Sequence, residues 1–170
     1  MRRLPLVFLA ALALSTFSAA AGPAPVPVTL EPIAHGDASL TILSPDGRET
    51  RLDIPAIEAM TTYRVETTTP WRDVPAVFDG VMLGDLLAAH GLDETASVLV
   101  TAENDFTTVI DQAVWKTEPM LVATRVNGAP ISRREQGPIL FVLEAEAYAT
   151  SRVANERHLV WMAARIEPYE

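Results

Sequence analysis

From Ser39 onward, short apolar runs alternate with polar turn residues at close intervals, a pattern that predicts strands rather than long helices. Residues 39–43 and 48–54 flank Ser44-Pro45-Asp46-Gly47. There Pro sets the first φ and Gly accepts a positive one, so 39–54 reads as a hairpin. Residues 29–34 also carry a β-type run, and 63–69 are rich in β-branched side chains. Strands are expected at 97–101 and 106–111, on either side of the polar cluster Glu103-Asn104-Asp105. Residues 120–126 and 139–143 are apolar runs suited to buried strands, separated by an Asn127-Gly128 turn and a Gly137-Pro138 break. A final strand is expected within 157–169. Two stretches read as short helices. One is 55–60, opened by Pro55; the other carries Leu83, Leu86, Leu87 and His90 on one face and is terminated by Gly91. The predicted class is α+β, mostly strand with short helices.

The N-terminal pattern is different. Arg2 and Arg3 precede an apolar run over 4–14, and Ser18 to Gly22 are small residues. This reads as a signal peptide over 1–21, cleaved near Ala20 to Gly22, with the mature protein periplasmic or secreted. The run is too short to span a bilayer comfortably, so no stable membrane insertion is expected after cleavage. Pro5 follows the paired arginines almost at once, which favours export of an unfolded chain over a twin-arginine route. Residues 22–37 form a Pro-rich lead-in with a first strand, and 38–170 a single domain.

Composition narrows the function classes. Of 13 basic and 22 acidic residues, two bases and no acids fall in the first 21 positions, leaving a mature net charge of -11. Nucleic acid and anionic membranes need clustered cations, so neither is an expected partner. The chain has no cysteine, which removes disulfides, thiolate metal sites and thiol nucleophiles. His35, His90 and His158 are scattered without ligand spacing, so no metal site is expected, and His90 fits a helix end. Ser132 has no base at readable spacing. Glu144 and Glu146 form a carboxylate pair of glycosidase type, but in so acidic a chain such pairs are expected on the surface. Glu103-Asn104-Asp105 follows a strand and is either a site or a self-made turn. Arg125, Arg133 and Arg134 surround the 127–130 turn; pairing with carboxylates is favoured there over an anion site.

Four stretches resemble one family in the same order. Phe78-Asp-Gly-Val-Met-Leu-Gly-Asp-Leu-Leu87 before Gly91, Ala102-Glu-Asn-Asp-Phe106, 121–131 followed by Gly137-Pro138, and Val160-Trp-Met-Ala-Ala-Arg-Ile166 are similar to segments of the sulfite-oxidase-like molybdopterin-binding domain. The resemblance covers about residues 38–167 and implies the sulfite-oxidase-type fold. It also implies a molybdenum or tungsten pterin, ligated by a cysteine before the glycine-leucine helix. In the nearest register, Arg64-Val65-Glu66 stands where that cysteine segment would be, and Arg64 has no lone pair to offer a metal.

The resemblance therefore leaves two expectations. The first is a periplasmic protein that binds a small ligand or a partner protein in the old pterin cleft, with no cofactor. Arg64, Thr68, Trp71, Asn104, Asp105, Phe106 and Arg125 are its cleft candidates, Trp71 and Phe106 supplying an apolar wall. The second is a molybdopterin-dependent oxidoreductase of oxo-transfer type, with a non-cysteine metal environment or a completing subunit. No catalytic residue is assigned.

Overall fold

The computed structural model describes residues 24–170. The expected signal peptide, 1–21, lies outside these residues. Short strands dominate, as the turn spacing predicts, and they pair into two sheets. The first sheet contains β1 (Val26–Val28), β4 (Thr62–Thr69), β5 (Arg72–Met82), β8 (Leu121–Val126) and β10 (Leu140–Val142) in the order β1-β4-β5-β8-β10, with β9 (Ala129–Pro130) paired to β8. The second has the order β3-β2-β11-β6-β7, built from β2 (Ser39–Leu43), β3 (Glu49–Asp53), β6 (Ser97–Ala102), β7 (Thr107–Asp111) and β11 (Ala163–Tyr169). Pairing is antiparallel except between β2 and β11. Among the described residues no helix is long and apolar enough to cross a membrane.

The apolar runs take both-sided positions. Along β8, Val122 joins a core shared with Leu40, Ile42, Val100 and Ile166 of the other sheet, while Leu121 and Ala123 pack into a second cluster with Val65, Phe78 and Leu140. Successive strand residues face opposite ways, so a strand covered on both faces is apolar on both, and its buried polar pair, Thr124 and Arg125, needs partners inside the fold. Helix α1 (Ile54–Glu58) is capped by Asp53, whose Oδ1 accepts from Ala56 N at 2.8 Å. Helix α2 (Leu83–Ala89) buries Leu83, Leu86 and Leu87, and Gly91 ends it at φ +70°.

Several expectations need correction. Residues 29–34 form no strand; Pro32 lacks a ladder N–H, and 29–38 runs as an irregular strap. Only Ala163–Tyr169 of the expected last strand pairs, because 156–158 coil into a 3₁₀ turn and Met162 takes φ +51°. Helices α3 (Gln112–Thr117) and α4 (Ala145–Thr150) are short and unpredicted. Glu144 caps α4, its Oε2 accepting from Glu146 N and Ala147 N at 3.0 Å each, so its carboxylate serves the backbone. The longest strand, β5, is also unpredicted; Pro75, Asp79 and Gly80 interrupt its β-type run. Each has its place: Pro75 lies within an irregularity where residues 73–75 of β5 face Thr68 of β4, and Asp79 is buried against Arg64. Gly80 meets β8 so closely that a Cβ would stand 2.1 Å from Val122 O.

That close approach coincides with a β-bulge. Asp79 pairs with Arg125 and Gly80 with Ala123, so Thr124 is the extra residue on β8. In a regular strand Thr124 and Arg125 would point to opposite faces. The bulge lets both reach one carboxylate, that of Glu58 at the end of α1.

Candidate functional site

Three chain segments meet around an apolar pocket of about 360 Å³. The first is the tip of the β4–β5 hairpin. Thr69 pairs with Arg72, so Pro70 and Trp71 make a two-residue turn that carries Trp71 outward. The second is the β6–β7 turn. Asp105 takes φ +63°, Asn104 Oδ1 accepts from Phe106 N at 3.2 Å, and Ala102 N donates to Phe106 O at 2.9 Å. The third is the 3₁₀ turn Glu156–His158 with the residues after it, capped by Asn155, whose Oδ1 accepts from Arg157 N at 3.0 Å.

Trp71, Phe106, Leu159 and Trp161 form the apolar lining, with Asn104, Glu156 and Arg157 as its polar members. The two indoles stand nearly perpendicular, 88° apart, with ring centroids 4.5 Å apart. The Arg157 guanidinium lies 5.7 Å from the centroid of Phe106, within cation–π range. Trp161 Nε1–H is shut off from solvent and meets no acceptor. A buried donor in that state costs roughly 1–3 kcal/mol. Beneath the third segment, His158 is buried, its Nδ1 accepting from Asn155 N at 3.3 Å. Burial, helped by the charge of Arg157, outweighs the opposing pull of Asp111 and holds the imidazole below its ordinary pKa.

A second polar assembly lies inside the fold. Arg125 donates to Glu58 twice, Nε to Oε1 at 2.9 Å and Nη2 to Oε2 at 2.5 Å, and Thr124 Oγ1 donates to the same Oε1 at 2.7 Å. His35 Nε2, from the strap, lies 3.1 Å from Oε2. Burial pushes the Glu58 pKa up. The hydrogen bonds from Arg125 and Thr124 and the charges of His35 and Arg125 outweigh it and leave the carboxyl below its ordinary range.

The structure thus sorts the seven cleft candidates. Trp71, Asn104 and Phe106 come together in the pocket from positions up to 35 residues apart. Asp105 shapes the same turn without lining it, and Thr68 sits at the β4 irregularity. Arg64 is bound to Asp79 by two hydrogen bonds, 2.6 and 3.1 Å, and Arg125 is held by Glu58. Neither arginine lines the pocket. Arg133 is likewise engaged, by Glu103 at 2.7 and 2.8 Å. Sequence reasoning did not find Glu156, Arg157, Leu159 or Trp161 as pocket residues. The one legible signal was Trp161, a large aromatic beside the arginine-bearing 3₁₀ segment. His90 does stand at the end of α2, where burial and the charge of Arg48 lower its pKa.

Comparison with solved structures places this architecture. The described fold is similar to part of the sulfane dehydrogenase SoxCD from Paracoccus pantotrophus, with a TM-score of 0.55 and 16% identity over 83% of this chain. The likeness is one of fold. It spans 40% of the length of that chain. No family model and no curated protein matches the sequence.

The pterin metal implied by the family segments can be tested against the donors present. A molybdenum ligated by thiolate needs a cysteine, and the chain has none. The pocket lining offers one carboxylate, Glu156, beside the permanent cation Arg157. Among the described residues no three His, Asp or Glu side chains gather as a metal-binding group. The residues present do not fit a thiolate-ligated metal at this pocket.

Proposed function

We propose that this chain is an exported small-ligand-binding protein, built on a sulfite-oxidase-type fold, whose binding site is the pocket between Trp71, Phe106 and Trp161. The observation that carries the reading is the pocket's make-up: an apolar, largely aromatic wall with three polar groups placed on it. Such a lining buries a ring or short apolar body and orients it through few hydrogen bonds. Arg64 and Arg125 support the same reading from the other side, since both already hold carboxylates and are not offered to a cofactor phosphate. Fold does not determine chemistry, and a protein that has lost its metal ligand keeps a concave site for other use.

The fold likeness to sulfane dehydrogenase favours a second reading, a molybdopterin enzyme with an unusual metal environment. Metal content separates the two. Protein purified from its native host under molybdenum-replete conditions is expected to carry no stoichiometric molybdenum, tungsten or pterin fluorescence. It is expected to gain thermal stability with members of a small-molecule set. Stoichiometric metal and pterin would overturn the binding-protein reading. Export is checked by cell fractionation and by the N-terminal residue of the mature chain, expected near Ala21.

A further inference from the structure

The pocket carries more uncommitted donors than acceptors. Trp161 Nε1–H is buried without an acceptor. Asn104 uses its Oδ1 on Phe106 N, which leaves its amide NH₂ as the group to offer a ligand. Arg157 reaches only Thr107 O, at 3.4 Å, through Nη2, and among the described residues no carboxylate pairs with it. The one uncommitted side-chain acceptor in the lining is the carboxylate of Glu156, which is exposed on the rim. Neighbours in a 3₁₀ turn project about 120° apart. Of this pair it is Arg157 whose charged end is held against an aromatic wall, over Phe106.

Resting on the pocket reading above, we infer that the ligand is a planar aromatic acid, one or two rings bearing a carboxylate. The ring packs against Trp71, Trp161 and Leu159. The carboxylate accepts from the Arg157 guanidinium, with Asn104 supplying a further donor. The buried Trp161 N–H adds a third only where binding shifts the wall that covers it. A cationic aromatic is disfavoured even though indole faces attract cations, because Arg157 already occupies the face of Phe106 and repels a second positive charge. A neutral ring gains the apolar contact and leaves Arg157 unpaired.

The test uses the full mature chain and ring-matched probes: phenylacetate, phenylacetamide and phenethylamine, with their naphthyl counterparts, titrated by calorimetry. The acid is expected to bind at least about ten-fold tighter than the amide and tighter still than the amine. Arg157→Gln, an exposed position, is expected to bring acid and amide to within about two-fold, while Arg133→Gln, whose arginine pairs with Glu103, leaves the preference unchanged. Equal binding of acid and amide, or a preference that survives Arg157→Gln, overturns the aromatic-acid assignment and leaves the pocket reading standing. Failure of every aromatic probe to bind overturns both.

Discussion

Arg125→Met removes the cation from the Glu58 assembly and leaves a carboxylate whose side chain is 7% exposed. His35 and Thr124 stay in place, so one hydroxyl donor and an imidazole at 3.1 Å remain. Breaking a buried ion pair by deleting one partner costs about 3–5 kcal/mol, because the surviving charge stays desolvated. For a domain of about 150 residues this lowers the melting temperature by about 6–20 °C. The cost also depends on pH, with a sign that can be worked out. In the parent, Glu58 is held below its ordinary pKa; its contribution is complete above the ordinary carboxylate range and is lost as pH falls. Without Arg125 its bidentate donor is gone and burial pushes the carboxyl upward, so protonation relieves the variant as pH falls. The difference between parent and variant therefore shrinks from pH 7.5 to pH 5. Urea unfolding followed by circular dichroism at both values measures it, with Glu58→Gln/Arg125→Met closing a double-mutant cycle. The double variant is expected to recover at least about 1 kcal/mol relative to the sum of the singles. A variant within about 1 kcal/mol of the parent at pH 7.5, or a cost that ignores pH, would refute the buried-pair account.

Gly80→Ala drives a Cβ into β8 backbone 2.1 Å away, so the bulge must shift; a loss of about 1–3 kcal/mol or more is expected in the same urea assay, and a neutral result would sink the close-approach argument. Burial holds His158 below its ordinary pKa of about 6.5, so its contribution is complete above that value and is lost as pH falls through the lower, folded pKa. His90 is shifted the same way, so His158→Gln is expected to flatten only part of the stability slope below pH 6.5; an unchanged slope counts against His158. Trp71→Ala strips one wall of the pocket and is expected to weaken phenylacetate by about ten-fold or more in calorimetry on the folded variant; undiminished binding would place the site elsewhere.

What was legible in the chain follows distance along it. Turn residues lie next to the strands they join, so the 39–54 hairpin, the Asn104 turn and the Gly91 helix stop could be read locally. Trp71 and Phe106 come from the family resemblance, as the apolar wall of the cleft it implies, and not from a local pattern. The net charge favoured carboxylate pairing for Arg125 and Arg133, as found, but which carboxylate each meets could not be read this way. Glu58 and Arg125 are 67 residues apart, and nothing near either announces the other. Arg64 and Asp79 meet only because β4 and β5 pair in one register, which Pro75 and Gly80 disguised.

Composition and the alternation between neighbouring residues suffice to make the chain strand-rich, acidic and without a thiolate. Which charges are free depends instead on how distant segments pair. One extra residue on β8 turns Thr124 and Arg125 toward the same carboxylate, and that single step of register, invisible to any local pattern, takes Arg125 out of the site. The same pairing of distant segments brings Trp161 and Arg157 beside Trp71 and Phe106, since a pocket exists only where separate stretches of chain converge.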